Sequence, residues 1–382
     1  MSAAAPGRAP RVVHLTSVHD AFDIRIFRKE CRSLAAAGYD VVLVAPHDRD
    51  EVVDGVRIKA VPRPGSRLER MLRTSWAVFR AGVRERGALY HLHDPELLLF
   101  GVWLQLTGHA VIYDAHEDAP RDILSKHYLP RPLRAVLAAL VDSLERAVCS
   151  VFAGVVTVTA PIAARFDPRR TVVLHNYPLL SEFPALGAQP FAQRARAAVY
   201  AGGLSRIRGV HEMVQAIGRA AEHGSAELWL AGRLDPPALE SELAREPGWA
   251  HTARLGWCDR ARIVSLLGSA RVGLLVLHPV PNHLGSLPIK LFEYMGAGLP
   301  VVASDFPMWR DVLGDAAKWV DPLDPTAIAA ATTWLFDHPD EAERRGRLGR
   351  EAVVQRFHWE REAQVLLALY ARIVGAPRGV AA

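Results

Sequence analysis

Apolar positions along this chain alternate between two rhythms. Short, β-branched apolar runs are followed by longer stretches in which apolar residues return every three to four positions. The first rhythm fits strands buried on both faces of a parallel sheet, the second amphipathic helices packed over it. Strands are expected at 12–16, 41–45, 56–60, 89–92, 110–113, 155–158 and 172–174, with a helix over 24–37 stopped by Gly38. A second series is expected at 198–201, 227–231, 252–255, 272–275, 301–303 and 317–320, with helices near 210–221, 260–267 and 326–336. Between the two series, residues 176–195 are proline-rich and lack periodicity, as a linker or hinge would. The pattern predicts an α/β protein with two Rossmann-like, doubly wound parallel-sheet domains, 1–178 and 197–359, joined by a linker at 179–196. Ligands are then expected at the carboxyl ends of the strands. Two further helices, 341–356 and about 360–374, follow the second series.

The most informative stretch is GSLPIKLFEYMGAGLPVVASD, from Gly285 to Asp305. Pro288 suits a first helical turn, Lys290 to Ala297 reads as a helix closed by Gly298, and Val301 to Ala303 as a buried strand. Unpaired N–H groups and the macrodipole make a helix N-terminus a seat for an anion. Lys290 adds a full charge, and Glu293 lies on the same face with a carboxylate able to accept two hydroxyl hydrogen bonds. An anion clamp beside a diol acceptor suits the diphosphate and ribose of a nucleotide. A second phosphate-type element, YAGGLSRIRGV, opens the second half: a strand runs into Gly202 and Gly203, followed by Arg206 and Arg208.

These two motifs resemble the donor site of the family-4 retaining glycosyltransferases, which have the GT-B fold. The resemblance implies that Glu293 holds the ribose of a nucleotide sugar and that Arg208 and Lys290 hold its diphosphate. Gly202, Gly203, Gly285, Ser286 and Leu287 line the donor. Gly285 stands where the family has the first glutamate of a Glu-x7-Glu pair, and Gly203 where it has an arginine, a place Arg206 is expected to reach. The resemblance also implies that a C-terminal helix, 360–382, crosses back onto the first domain after a bend at Phe357, His358 and Trp359, and that the linker is a working hinge.

Polar clusters end strands in the first half: His91, His93 and Asp94 after one, Asp114 and His116 after another. The resemblance puts His116 near the donor sugar, with His93 and Asp94 behind it. Asp23, Arg25 and Lys29 are expected on the acceptor side or at the phosphates. The function implied is a retaining, metal-independent transfer of a sugar from a UDP- or GDP-sugar to a hydroxyl of a glycan, a lipid-linked saccharide or a metabolite. No cofactor is expected. The rival readings are a metal-dependent hydrolase using His91, His93 and His116, and a catalytically silent nucleotide-sugar binder. Asp48-Arg49-Asp50 has a D-x-D form but reads as a loop after the second strand.

Half of the 382 residues are apolar, and no apolar run approaches the ~20 residues that span a bilayer. The N-terminus carries no signal-type apolar segment, and Cys31, Cys149 and Cys258 are scattered without metal or redox spacing, so a cytoplasmic location is expected. The net charge of +5 is concentrated between Arg57 and Arg86, where basic residues greatly outnumber acids. That segment reads either as a solvated helix face or as an attractor for anionic lipid or an anionic acceptor, with peripheral contact at the inner membrane face as the expected consequence. Trp76 and Phe79 alone make no interleaved aromatic platform, so nucleic-acid binding is not expected.

Overall fold

Val12, Val13 and Leu15 are entirely buried, because the strand that carries them, β1 (Arg11–Leu15), lies inside a sheet covered on both faces. The computed structural model describes residues 9–125, 129–183 and 190–377. Two units make up the chain: Met1–Asn176 with Trp359–Ala382, and Tyr177–His358.

In the first unit β1 is joined by β2 (Asp40–Pro46), β3 (Glu51–Val53), β4 (Val56–Val61), β5 (Leu89–Leu92), β6 (Ala110–Ala115), β7 (Gly154–Thr157) and β8 (Thr171–Val173). The spatial order is β3-β4-β2-β1-β5-β6-β7-β8. Every pairing is parallel except β3 with β4, a hairpin turned through Asp54 and Gly55, both at positive φ. The strand order reverses between β1 and β5, the point at which such sheets bind ligands. Helix α1 winds as a π-helix over Ile24–Cys31 and continues as an α-helix over Arg32–Ala36. Arg25, Lys29 and Glu30 are buried on it, so this helix brings charge inside the unit. Helices α2 (Ser75–Arg84), α3 (Leu98–Leu106) and α4 (Arg131–Cys149) cover the sheet; Phe79 of α2 stacks on Phe100 of α3 at 4.6 Å, and α3 packs on α4.

The C-terminal helix Trp359–Val374 belongs to the same unit. Trp359 is buried and donates its indole N–H to Ser33 at 2.9 Å, and Glu362 accepts from the backbone N–H of His175 at 2.7 Å. The boundary between units falls between His358 and Trp359, inside the stretch expected to bend.

The second unit holds β9 (Ala195–Ala201), β10 (Glu227–Ala231), β11 (Thr252–Gly256), β12 (Ala270–Leu275), β13 (Val301–Ser304) and β14 (Ala317–Val320). All pairings are parallel, in the order β11-β10-β9-β12-β13-β14, with the switch point between β9 and β12. Three helices matter for the site: α5 (Val210–Ala221), α6 (Arg260–Ser269) and α7 (Ile289–Gly296). Tyr177, Phe183 and Phe191 are buried in this unit's core, so the ends of the expected linker are anchored to the second sheet; residues 184–189 lie outside the described residues.

The expected basic stretch is divided by the fold. Arg57 pairs with Asp40 at 2.7 Å, Lys59 with Asp50 at 2.8 Å, Arg63 with Asp48 at 3.2 Å and Arg70 with Glu96 at 3.1 Å. The two aspartates of the D-x-D sequence are thus engaged by neighbouring basic side chains in a loop.

Candidate functional site

In the second unit, β9 ends in a glycine loop that α7 approaches from the side. Pro288 occupies the N-cap of α7 in an extended conformation, and its carbonyl accepts the first bond from the Leu291 N–H at 3.0 Å. Lys290 therefore stands in the first turn, and its ammonium reaches the glycine loop. A Cβ built on Gly202, whose φ is +142°, would come within 2.6 Å of the Lys290 Nζ. The same ammonium lies 5.6 Å from the centre of the Tyr200 ring. Arg208 reaches the loop from the other side and donates to the Gly203 carbonyl at 3.4 Å, as does the Tyr200 hydroxyl at 3.3 Å. Lys290 and Arg208, far apart in sequence, are thereby brought to one loop.

The cations act on each other. Burial first, then the Arg208 charge, lowers the pKa of Lys290, with Glu293 opposing. His283 lies close enough to feel both: burial lowers its pKa, and Arg208, His278 and Lys290 add to the effect, against its bond to the His278 carbonyl at 2.9 Å. No acidic group among the described residues forms an ion pair with Lys290. Two neighbouring cations, one of them without an ion-pair partner, are suited to an external anion.

The other residues expected at the donor divide into two groups. Glu293 is buried and forms an ion pair with Arg260, which also binds Glu182 at 2.6 Å. Arg260, at the start of α6, was not singled out by the sequence; its partners lie 33 and 78 residues away, and no local pattern announces them. Arg206 departs from expectation. It is exposed and paired with Glu242, so its guanidinium is committed away from the Gly203 position. Ser286 donates its N–H to the His283 carbonyl at 3.3 Å and accepts the Trp309 indole N–H at 2.8 Å, leaving little free backbone for a ligand. Gly285 caps the short helix before it, and Leu287 packs on the core.

In the first unit, Asp114 gathers the polar groups at the end of β6. Both of its oxygens accept from Arg25, at 2.8 and 2.9 Å, and one also faces His93 Nδ1 at 3.2 Å and His116 Nδ1 at 3.5 Å. Burial alone raises the pKa of Asp114, but Arg25, followed by His116 and His93, holds the carboxyl well below the usual range. His116 is half-buried at the edge of this group.

Of the residues expected on the acceptor side, Arg25, His93 and Asp94 are internal supports, while Asp23 keeps part of its surface. Asp23 caps α1, accepting from the N–H groups of Arg25 and Ile26 at 2.8 and 2.9 Å; burial raises its pKa, but the bond to His19 first and these N–H groups with it lower it to about 2. Arg25, His93 and Asp94 are only 5%, 1% and 2% exposed, which leaves them little surface for direct contact with an acceptor. Asp94 instead accepts the Ser17 N–H at 2.6 Å and so holds the loop after β1. Lys29 donates to the Asn176 side chain at 2.6 Å. The surface that is open belongs to that loop: His19, Asp20, Phe22 and Asp23, with His47 and Arg63, line a cavity of about 530 Å³. Sequence reading passed over His19, Phe22 and Arg63, which lie on loops or at a strand end and carry no motif.

Two parallel-sheet units, each with polar groups at the switch point, are the plan of the GT-B glycosyltransferases. The sequence profile of the family described as "Glycosyl transferases group 1" matches residues 195–338, and that of the "Glycosyl transferase 4-like domain" matches residues 24–177. Together they cover most of the chain, which belongs to the GT-B glycosyltransferases of the family-4 type. Among curated proteins, the chain is 26% identical to a glycogen synthase from Mycobacterium tuberculosis over 91% of its own length and 89% of the relative's. Among solved structures it is similar to sucrose-phosphate synthase from Thermosynechococcus elongatus, with a TM-score of 0.76 and 20% identity over 96% of this chain and 99% of that one. It is also similar to HepE from Anabaena, solved in complex with UDP and glucose, with a TM-score of 0.70 and 13% identity over 95% and 100% of the two chains. The protein is a glycosyltransferase. The metal-hydrolase reading gives way to this assignment, and the full burial of His91 and His93 also leaves that pair no open position for a substrate.

Proposed function

We propose that this glycosyltransferase moves a sugar, with retention and without a catalytic metal, from a UDP- or GDP-sugar to a hydroxyl of a glycan, a lipid-linked saccharide or a metabolite. The observation that carries this reading is the meeting of Lys290 and Arg208 at the Gly202-Gly203 loop. The leaving nucleoside diphosphate accumulates negative charge in the transition state, and fixed cations stabilise it there. A single preorganised donor of this kind contributes ~3–4 kcal/mol. The HepE neighbour, solved with UDP and glucose, supports a nucleotide-sugar donor.

In this reading Glu293 accepts the ribose hydroxyls, and His116, oriented by Asp114, faces the reacting carbon. Retention follows when the acceptor hydroxyl attacks from the face the phosphate leaves, with the departing phosphate taking its proton. The acceptor enters beside His19 and Phe22, where an aromatic face and polar groups together suit a saccharide or polyol.

The acceptor reading extends to a membrane surface. Leu68, Leu72 and Trp76 are exposed beside Arg67 and Arg73, which no acid pairs among the described residues, and Leu99, Trp103 and Leu106 are exposed on the neighbouring helix α3. Apolar side chains flanked by unpaired arginines suit peripheral contact with anionic lipid. No helix among the described residues is long and apolar enough to cross a membrane.

The test is a screen of UDP- and GDP-sugars for thermal stabilisation, followed by a transfer assay with and without added magnesium or manganese. A donor at 100 times its Kd stabilises by ~2.7 kcal/mol. Transfer with inverted anomeric configuration, or a rate that requires an added divalent ion, would overturn the reading; binding without transfer or donor hydrolysis would favour the silent binder.

A further inference from the structure

The first unit buries a second polar group that the proposed reaction does not use. His14 from β1, Glu30 from α1, His91 from β5 and His93 just after it are all at most 1% exposed, and one potential ligand atom from each lies within 4.8 Å of all the others. The His14 Nδ1 is 2.9 Å from the His93 Nε2, which is 4.0 Å from one Glu30 oxygen, and the His91 Nδ1 is 3.7 Å from that same oxygen. A tetrahedral zinc with bonds of ~2.0–2.1 Å needs ligand atoms roughly 3.3 Å apart. The observed spacings bracket that figure.

The carboxylate of Glu30 is poorly matched here. Neither carboxylate oxygen has a hydrogen-bond partner among the described residues, and neither has the Nε2 of His91. Arg25 approaches one Glu30 oxygen at 3.2 Å, but its guanidinium already binds both oxygens of Asp114. Two buried carboxylates therefore share one cation, and burying an uncompensated charge costs several kcal/mol. A proton on Glu30 would also neutralise it, with the Asp114 carboxylate close enough to accept, so a metal ion and a proton compete for this group.

The surrounding bonds also favour a metal. His93 turns its Nδ1 to Asp114 at 3.2 Å, which leaves its Nε2 facing Glu30, and His14 turns its Nε2 to the Tyr370 hydroxyl at 3.1 Å, which leaves its Nδ1 facing the same way. A carboxylate or hydroxyl on the far nitrogen is the usual means of orienting a histidine ligand. The Tyr370 hydroxyl now meets the His91 Nδ1 at 2.8 Å, and the His14 Nδ1 and His93 Nε2 are bonded to each other at 2.9 Å; the metal replaces both bonds.

We propose that His14, Glu30, His91 and His93 form a closed, structural site for one divalent transition-metal ion, zinc by its nitrogen-rich donor set. The ion ties β1, α1 and β5 together and takes no part in sugar transfer. The alternative group His93, Asp114 and His116 is less suited, because Arg25 already occupies both Asp114 oxygens.

The experiment uses the full chain, purified without chelator, with zinc and cobalt(II) as probes. Elemental analysis is expected to find about one zinc per chain. Protein stripped of metal and refilled with cobalt(II) is expected to show the visible absorption of a four-coordinate ion. Glu30→Gln is expected to weaken cobalt binding by at least ~10-fold. Folded protein that holds no zinc overturns the proposal, as does protein that binds zinc but, once refilled with cobalt(II), shows no four-coordinate band. A band that survives Glu30→Gln and is lost in His116→Ala also overturns it, since it moves the ion to the other group. Should Glu30→Gln fail to fold, the zinc content and cobalt spectrum of the unaltered protein decide. None of these readouts depends on which sugar, if any, the protein transfers.

Discussion

The ammonium of Lys290 lies against the α-carbon of Gly202, so close that a methyl group there would meet Nζ at 2.6 Å. Gly202 also has a φ of +142°, where side-chain-bearing residues are strained. Gly202→Ala is therefore expected to do two things at once. Strain in this region costs ~1–3 kcal/mol of stability, and displacement of Lys290 removes the phosphate contact proposed for it, so donor affinity is expected to fall by at least ~10-fold. Calorimetry with the donor and urea unfolding read the two effects separately. Unchanged donor affinity would mean that Lys290 does not need the bare glycine beside it.

Lys290 itself predicts an opposition between stability and function. Burial and Arg208 lower its pKa, so the folded protein holds this proton less tightly than the unfolded chain does. Below the folded pKa the lysine is charged at a cost to folding; stability then rises as pH climbs from the folded pKa to the ordinary lysine value. Lys290→Met is expected to leave the thermal midpoint unchanged or higher while reducing transfer ~10²–10³-fold. The transfer rate of the unaltered protein is expected to fall on the alkaline side at a lower pH than an ordinary lysine would give. A rate that stays flat until the ordinary lysine range would argue against a role for the charge.

Much of this arrangement was legible in the chain. The central strands are apolar runs because both sheet faces are covered, and α7 announced itself through Pro288 before it and Gly298 after it. The β3-β4 hairpin went unread although Asp54-Gly55 is a strong turn signal, because Glu51–Val53 is short and only partly buried. The hidden part of the site consists of long-range pairs. Arg25 meets Asp114 across 89 residues, and Arg260 meets Glu182 and Glu293 across 78 and 33. Local periodicity carries no information about such partners, so charged residues that hold the site together looked like residues that would touch a ligand.

Asp114 gives a prediction in the acid range. Its carboxyl lies well below the ordinary value when folded, so the stability it contributes is present above the unfolded carboxyl pKa and is lost as pH falls toward the folded one. Asp114→Asn removes the charge to which the Nε and Nη2 edge of the Arg25 guanidinium is bonded. Arg25 keeps Glu30 at 3.2 Å, so the loss is expected to stay below the ~3–5 kcal/mol of a wholly orphaned buried charge. Urea unfolding at neutral pH is expected to show that loss, and the difference between variant and parent is expected to shrink as the parent's Asp114 becomes protonated. An equal difference at every pH would assign the loss to packing.

The Arg260 bridge separates two roles that Glu293 combines. Arg260 holds Glu182 and Glu293 together, so removing the arginine leaves the buried Glu293 without this cation, whereas removing the Glu293 charge leaves Arg260 still paired with Glu182. Arg260→Met is accordingly expected to lose more stability than Glu293→Gln, with ~3–5 kcal/mol as the scale for an orphaned buried charge. Donor affinity is expected to follow a different order. Glu293→Gln replaces an ionised acceptor of the ribose hydroxyls, and hydrogen bonds to charged groups are worth ~1.5–3 kcal/mol, so the Kd for the nucleotide sugar rises ~10–100-fold. Calorimetry of both variants, with their unfolding curves, tests the separation: a stable Glu293→Gln protein that binds donor as tightly as the parent would leave Glu293 a structural partner of Arg260 and nothing more.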